Sequence, residues 1–234
     1  MKTLKINGII IFKRDFGESD RIFHIFTEHI GKIEVIAKNV RNGSRRAGHL
    51  ELFNFGTFFL YKSKNHYYLN QCETIHEFTQ LKKDLDSIGA AYLAIELLNK
   101  LMPLEDPNQE LFRETALFLK YLELTLKKDL TLLTFKIKLM TELGLLPEIM
   151  ECSGCKNRLA PDLTYFPNEH RYYCRGCTSN EGTLVSTNSI KLFYYLKKVD
   201  FGKALTLKSD KNLEKAIAEL TTLTDLYLQE HLGS

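Results

Sequence analysis

Alternating hydrophobic and polar positions dominate the first 80 residues of the chain. In residues 4–12 every even position is apolar or glycine, and this period of two places one face of a β-strand against a core. Four further segments are rich in isoleucine, phenylalanine, tyrosine and valine, which favour strands: residues 21–27, 32–37, 50–61 and 66–78. The pattern therefore predicts five strands.

The connections between these segments favour a small closed barrel. Gly31 suits a tight hairpin turn, residues 63–65 suit a second one, and Gly56 indicates a bulge or sharp bend in a long curved strand. Five short antiparallel strands in about 80 residues most naturally close into a barrel, of which the OB-fold is the commonest nucleic-acid-binding form. Periodicity alone does not separate an OB-fold from an SH3-like barrel.

From about residue 84 the apolar residues recur at intervals of three and four. This period predicts amphipathic helices over residues 86–102, from about 108, and over 132–143, 187–198 and 212–231. Gly144 suits a left-handed cap at the end of the third helix. We therefore predict an α+β multidomain protein, with a five-stranded OB-fold barrel over residues 1–80 and an all-helical domain over residues 81–234.

Four of the five cysteines form two close pairs, in the sequences CSGC and CRGC. Two such turns separated by 18 residues are typical of a zinc ribbon or knuckle, because each turn presents two thiolates to one ion. We predict a zinc module over about residues 148–182, inserted in the helical domain, with the ligands Cys152, Cys155, Cys174 and Cys177. Four thiolates leave no open coordination position, so the ion is expected to be structural. A redox dithiol and disulfide bonds are the alternatives.

Positive charge is concentrated in the predicted barrel. The net charge of the chain is only +3, yet residues 1–83 contain 14 Lys and Arg against 8 Asp and Glu. Residues 38–49, which we call the basic segment, contain two glycines and no acidic residue, and arginine makes planar, multidentate contacts to phosphate. The predicted nucleic-acid contacts are Lys38, Arg41, Arg45 and Arg46 of this segment, extended by Lys13, Arg14 and Arg21. The alternative is a flexible charged loop without a partner.

Aromatic residues offer a second means of contact with nucleic acid. The chain contains 15 phenylalanines and 11 tyrosines, and most of them are expected in the core. Tyr67 and Tyr68 are adjacent on a predicted strand, so they face opposite sides of it. One of the two is therefore a candidate for stacking on bases.

Enzymatic motifs do not emerge from the sequence. We find no P-loop, no G-x-G-x-x-G, no G-x-S-x-G and no H-E-x-x-H, and no set of catalytic residues is assigned. No secretion signal and no run of about 18 apolar residues is visible. We therefore expect a non-enzymatic, nucleoid-associated protein of the cytoplasm, without a membrane partner.

Four longer motifs are the most specific parts of the sequence: SRRAGHLELFNFGTFFLY, FKIKLMTELGLLPEIMECSGC, YYCRGC and the closing YLQEHLG. They resemble those of the bacterial RecO family of recombination mediators. The resemblance covers nearly the whole chain.

The resemblance implies a fold and a function. The fold is an amino-terminal OB-fold and a helical domain with an inserted zinc module. The function is to bind single- and double-stranded DNA, anneal complementary strands and, with RecR, load recombinase onto DNA coated by single-strand-binding protein. The acidic, apolar carboxy-terminal tail of single-strand-binding protein is a further implied partner. An RNA-binding factor and a non-catalytic protein adaptor are the rival interpretations.

Overall fold

The computed structural model of the chain describes residues 3–41, 47–63, 66–146, 151–157, 162–169, 171–178 and 182–232. The chain divides into two compact units, Met1–Lys128 and Asp129–Ser234. Among the described residues, no helix is both long enough and apolar enough to cross a membrane.

Five strands of the first unit form a closed barrel in the order β1-β2-β3-β5-β4. Their bounds are Thr3–Phe16 for β1, Asp20–Thr27 for β2, Gly31–Ala37 for β3, Phe55–Ser63 for β4 and His66–His76 for β5. Neighbouring strands are antiparallel except β3 and β5, which pair in parallel through Val35–Tyr67 and Ile36–Tyr68. This topology is that of an OB-fold, so the predicted fold class is confirmed and the SH3-like alternative is excluded.

The barrel closes because β1 pairs with two different strands. Its first half pairs with β4 and its second half with β2, and Gly8 and Ile9 belong to both ladders. A Cβ atom on Gly8 would lie 2.5 Å from the side chain of Ile25, so only glycine allows the three strands to meet here. The bulge predicted near Gly56 is confirmed, since the β4–β5 register shifts between Phe55 and Gly56.

Inward-facing side chains of all five strands fill the barrel. Tyr67 belongs to this core and Tyr68 faces outward, as the alternation predicted. The largest contributors are aromatic and β-branched residues, whose burial supplies most of the driving force for folding. The core includes Phe23, Ile25, Ile33, Val35, Phe58, Leu60 and Leu69.

The predicted start of the fourth strand at residue 50 is wrong. Residues Ala47–Leu50 form a short 3-10 helix, and β4 begins only at Phe55. The Asn54 side chain donates to the carbonyls of Gly48 and His49 at 3.3 Å each, which fixes the intervening turn. Leu50 and Phe53 are therefore buried in a helical turn and the residues after it. Their spacing matches that of a strand by coincidence, which explains the wrong prediction.

Two helices complete the first unit, α1 over Leu85–Leu101 and α2 over Gln109–Leu124. The Asp84 side chain caps α1 by accepting a hydrogen bond from the Ser87 amide, and Asn108 caps α2 in the same way. Helix α1 packs against β1 of the barrel. Helix α1 begins and ends within one residue of its predicted limits, and α2 begins within one residue of its predicted start.

The second unit combines helices with a small sheet. Helix α3 (Lys128–Glu142) begins at the unit boundary, and Gly144 follows its end with a φ of +68°, which confirms the predicted left-handed cap. The other elements are β6 (Asp162–Phe166), β7 (Arg171–Cys174), β8 (Thr183–Ser186), α4 (Thr187–Lys198), α5 (Phe201–Leu205) and α6 (Lys211–Leu232). The three strands form an antiparallel sheet in the order β7-β6-β8. Sequence periodicity did not predict this sheet or α5, and it placed the start of α3 four residues late.

The backbone of Asp106 lies so close to Gly31 that a side chain at position 31 should destabilise the protein. Gly31 has φ +78°, and a Cβ atom there would lie 2.1 Å from the backbone oxygen of Asp106. Because the substitution adds both strain and a clash, Gly31→Ala should lower the free energy of unfolding by at least about 2 kcal/mol in urea denaturation.

Gly89 is the matched control for this experiment. It is exposed on α1, and an added Cβ atom would meet nothing within 4 Å. Gly89→Ala should raise the free energy of unfolding by up to about 1 kcal/mol through helix propensity. Equal stability of Gly31→Ala and the parent chain would contradict the packing described here.

Candidate metal centre and nucleic-acid interface

Four cysteine sulfurs converge in the second unit. Cys152 and Cys155 lie in the turn that precedes the sheet, Cys174 ends β7, and Cys177 lies in the turn after it. Their four Sγ atoms all lie within 4.8 Å of one another. The structure thus brings together all four cysteines that the spacing singled out, and they are positioned to bind a metal ion.

The spacing of the sulfurs fits a tetrahedral thiolate site. An ion held at about 2.3 Å from each of four sulfurs separates those sulfurs by about 3.8 Å. The Sγ atoms of Cys155 and Cys174 are 3.8 Å apart, whereas a disulfide bond would bring them to about 2.05 Å. All four cysteines are free thiols in the structure.

Backbone groups stabilise negative charge at the most buried of these sulfurs. Burial raises the pKa of the Cys152 thiol, but backbone amides of Cys174, Cys155 and Gly154 point toward the sulfur and lower that pKa to about 6. The Cys174 amide, for example, lies 3.2 Å from Cys152 Sγ. Hydrogen bonds with the other three thiols raise the pKa of Cys177 to about 12. Full deprotonation of all four thiols at this spacing would require a cation to neutralise their mutual repulsion.

The turns around the sulfurs depend on close backbone approach. The Ser153 amide donates to the Tyr172 carbonyl at 2.7 Å, which joins the first cysteine turn to β7. A Cβ atom on Gly154 would lie 3.1 Å from Cys177 Sγ. The glycine in CSGC therefore leaves room for the second pair of sulfurs.

A cluster of buried tyrosines joins the cysteine-bearing sheet to the last helix. Tyr165 of β6 stacks on Tyr227 of α6 with ring centroids 4.8 Å apart, and Tyr172 of β7 shares a 3.0 Å hydrogen bond with the Tyr227 hydroxyl. The Tyr165 hydroxyl donates to Glu230 at 3.3 Å. Burial raises the pKa of all three tyrosines, so they remain neutral at physiological pH. These contacts connect the sheet that carries the cysteines to α6.

Two of the predicted cations, Arg21 and Arg41, meet beside the turn between β1 and β2. Arg41 donates from Nη1 to the Gly17 carbonyl at 3.0 Å, and the amides of Val40 and Arg41 both donate to the Ser19 carbonyl. These bonds hold the start of the basic segment against the turn. Arg14 on β1 and Lys38, which directly follows β3, are exposed. Arg45 and Arg46 lie outside the described residues.

One carboxylate organises two of these arginines. Asp15 accepts from Arg21 Nε at 2.8 Å and lies 3.3 Å from Arg41 Nη2. The hydrogen bond from Arg21, followed by the charge of Arg41, lowers the pKa of Asp15. In a similar way, Lys13 lies 2.5 Å from Glu51. Three of the predicted cations are therefore pre-positioned by acidic partners, which sequence reasoning did not anticipate.

Sequence reasoning also missed Tyr61. It lies directly opposite Tyr68 in the β4–β5 ladder, and the two rings stack with centroids 5.2 Å apart. Lys38 of the basic segment lies over the Tyr68 ring, 5.3 Å from its centroid. The period of two on β4 places position 61 on the outer face, but the pairing register that joins it to Tyr68 is not visible in the sequence.

Comparison with known proteins identifies the family. Residues 1–78 match the family model "Recombination protein O N terminal", and residues 82–234 match "Recombination protein O C terminal". The chain is 30% identical over 212 residues to the DNA repair protein RecO of Dehalococcoides mccartyi strain BAV1, a match that covers 89% of this chain and 84% of the relative. It is 31% identical over 228 residues to the DNA repair protein RecO of Desulfitobacterium hafniense strain DCB-2, covering 94% and 83%. The chain therefore belongs to the RecO family of DNA repair and recombination proteins.

Proposed function

We propose that this chain binds single- and double-stranded DNA with its OB-fold barrel, anneals complementary strands and, together with RecR, helps to load recombinase onto DNA coated by single-strand-binding protein. The observation that carries this proposal is that Arg21 and Arg41 are held together beside one turn of the barrel in a member of the RecO family. The proposed contacts are Lys13, Arg14, Arg21, Lys38, Arg41, Arg45 and Arg46.

Charge neutralisation is the physical basis of the proposed annealing. Two complementary strands repel each other through their phosphates, and cations held on a protein surface lower that repulsion so that bases can pair. Four to six phosphate contacts would give a log–log dependence of single-strand affinity on salt with a slope of roughly −3 to −4. The mechanism requires no catalytic residue, and we propose that the protein acts without one, on DNA in the cytoplasm.

We further propose that the four cysteines hold a structural Zn²⁺. A set of four thiolates near tetrahedral spacing is the donor set that zinc prefers. The ion would neutralise the thiolates and fix the two cysteine turns against β7. It would supply folding energy to a segment in which three strands of only four or five residues provide little core.

An apolar corner of the first unit supports a site for the acidic tail of single-strand-binding protein. Leu85, Leu124 and Leu126 are 81%, 72% and 98% exposed. The start of α1 and the end of α2 meet there, since the Ser87 hydroxyl donates to the Leu122 carbonyl and Lys128 lies 3.4 Å from Asp84. Apolar side chains beside a lysine complement a peptide that ends in acidic and apolar residues. We call these three leucines the leucine corner.

The triple substitution Arg41→Ala, Arg45→Ala and Arg46→Ala tests the DNA interface. Removing three phosphate contacts should weaken single-strand binding at least tenfold in about 0.1 M salt and reduce the magnitude of the salt slope by about 2. Strand annealing should fall in parallel. Fluorescence anisotropy with a labelled oligonucleotide measures the first two effects, and competition with an RNA strand of the same sequence tests the RNA-binding alternative.

Two further variants make this test specific. Lys191, Lys197 and Lys198 are exposed on α4 of the other unit, so their triple alanine variant removes the same charge and should leave the salt slope unchanged. Asp15→Asn should tighten DNA binding, because it removes the carboxylate that Arg21 and Arg41 share. Unchanged affinity of the arginine variant would exclude this surface and favour the protein-adaptor interpretation.

Removal of the metal should loosen the second unit and leave the barrel folded. Elemental analysis should give about one zinc per chain, and a strong chelator should increase amide exchange in β6, β7 and the last turns of α6. Because each cysteine thiol must lose its proton to bind zinc, zinc affinity should fall as the pH decreases. Cys152→Ser should reproduce the loosening without a chelator. Full retention of the exchange pattern after complete zinc loss would contradict the proposed role.

The leucine corner is tested with a labelled peptide that carries an acidic, apolar carboxy terminus. The double substitution Leu124→Asp and Leu126→Asp should weaken binding at least tenfold, because it removes apolar contact and repels the acidic residues. Leu184→Asp in the other unit, at a position 36% exposed, is the control and should bind as the parent chain does. Equal binding by the double variant would rule out this corner.

A further inference from the structure

The outer face of the barrel carries an ordered row of aromatic rings beside the basic segment. Tyr61 of β4 and Tyr68 of β5 are direct partners across the sheet. Their rings are nearly parallel, with an interplanar angle of 13° and centroids 5.2 Å apart. Both residues are half-buried, so the rings stand side by side on the barrel wall and remain partly accessible.

The two ends of this ring pair differ. At one end, the Lys38 ammonium lies 5.3 Å from the centroid of the Tyr68 ring. At the other end, the residue that faces Tyr61 across the β1–β4 ladder is Thr3, which is small and exposed. Among the described residues, the Tyr61 ring stacks on Tyr68 on one side, and on its other side it overlooks a short side chain.

A second aromatic position repeats this arrangement along the same strands. Phe59 lies two residues before Tyr61 on the same face of β4, and its partner on β1 is Lys5. The Lys5 ammonium lies 5.6 Å from the centroid of the Phe59 ring. Three rings and two ammonium groups thus share the outer face of β1, β4 and β5. We call Phe59, Tyr61 and Tyr68 the aromatic row.

We propose that the aromatic row is a stacking site for the unpaired bases of single-stranded nucleic acid, with Tyr61 and Tyr68 as its centre. The inference rests on the proposed DNA-binding function and adds a ligand preference to it. An unpaired base extends the ring stack on the open side of Tyr61, while Lys38 and Lys5 meet the phosphates that flank it. The base faces of a duplex are already stacked within the helix, so the row discriminates against paired DNA.

This site separates two tasks on one barrel. The cations at the β1–β2 turn neutralise phosphates and serve single strands and duplexes alike. The aromatic row adds affinity for unpaired bases only, so it would release a strand once that strand has paired. Such a difference would favour dissociation of the annealed product.

Paired substitutions test the row with the full-length, zinc-containing protein. Tyr61→Leu with Tyr68→Leu keeps apolar volume on the barrel wall and removes the π-faces. This variant should bind a labelled oligo-dT at least tenfold more weakly than the parent chain and bind a duplex of the same length within about twofold of it. Tyr61→Phe with Tyr68→Phe keeps both rings and should bind both ligands within about twofold of the parent chain.

A photochemical readout reports contact with the bases directly. An oligonucleotide carrying 5-iodouracil, irradiated in the complex, should form a covalent adduct with the parent chain that maps by mass spectrometry to Tyr61 or Tyr68. A purely structural role of the tyrosines would lower stability in urea but would give no adduct at these positions.

The outcomes separate failure of the row from failure of DNA binding. If the Leu variant loses affinity for single strands and duplex equally, or for neither, and the adduct maps elsewhere, the row is not a base-stacking site even though the proposed function stands. If the parent chain binds neither ligand in dilute salt, the proposed function itself fails.

Discussion

Barrel closure through β1 is the constraint on which the first unit depends. One strand pairs with β4 along its first half and with β2 along its second half, and Gly8 lies where the three strands meet. Any side chain at this position would clash with Ile25. Closure leaves the barrel no free strand edge, and it places the β1–β2 turn, the start of the basic segment and the outer face of β5 at fixed positions relative to one another.

The closed barrel also fixes the positions of charged side chains on its surface. Acidic residues hold the cations in place before any ligand arrives: Asp15 serves Arg21 and Arg41, and Glu51 serves Lys13. Exposed ion pairs of this kind contribute little stability, so their effect is to orient the cations. The second unit has an apolar core of its own, which includes Phe135, Phe193 and Leu220. Its sheet is organised in addition by four converging sulfurs and by a buried tyrosine cluster.

Much of the fold was predictable, and the errors have physical causes. Period-two alternation identifies strands that bury one face, which is why all five barrel strands were found. The strands β6 to β8 have four or five residues each, which is too short for a clear periodic signal. The start of β4 was misplaced because Leu50 is buried in a 3-10 helix that happens to match the alternation.

The candidate sites likewise include residues that the sequence predicted and residues that it did not. The cysteine ligands could be read from local spacing, whereas the shared Asp15 and the Tyr61–Tyr68 stack depend on strand register. A nucleic-acid interface on the barrel can be tested by amide hydrogen exchange with and without a single-stranded oligonucleotide. The bound strand should produce new protection in the β1–β2 turn, in the basic segment and along β4 and β5, with residues 129–234 unchanged. Protection confined to residues 129–234 would show that the barrel is not the interface.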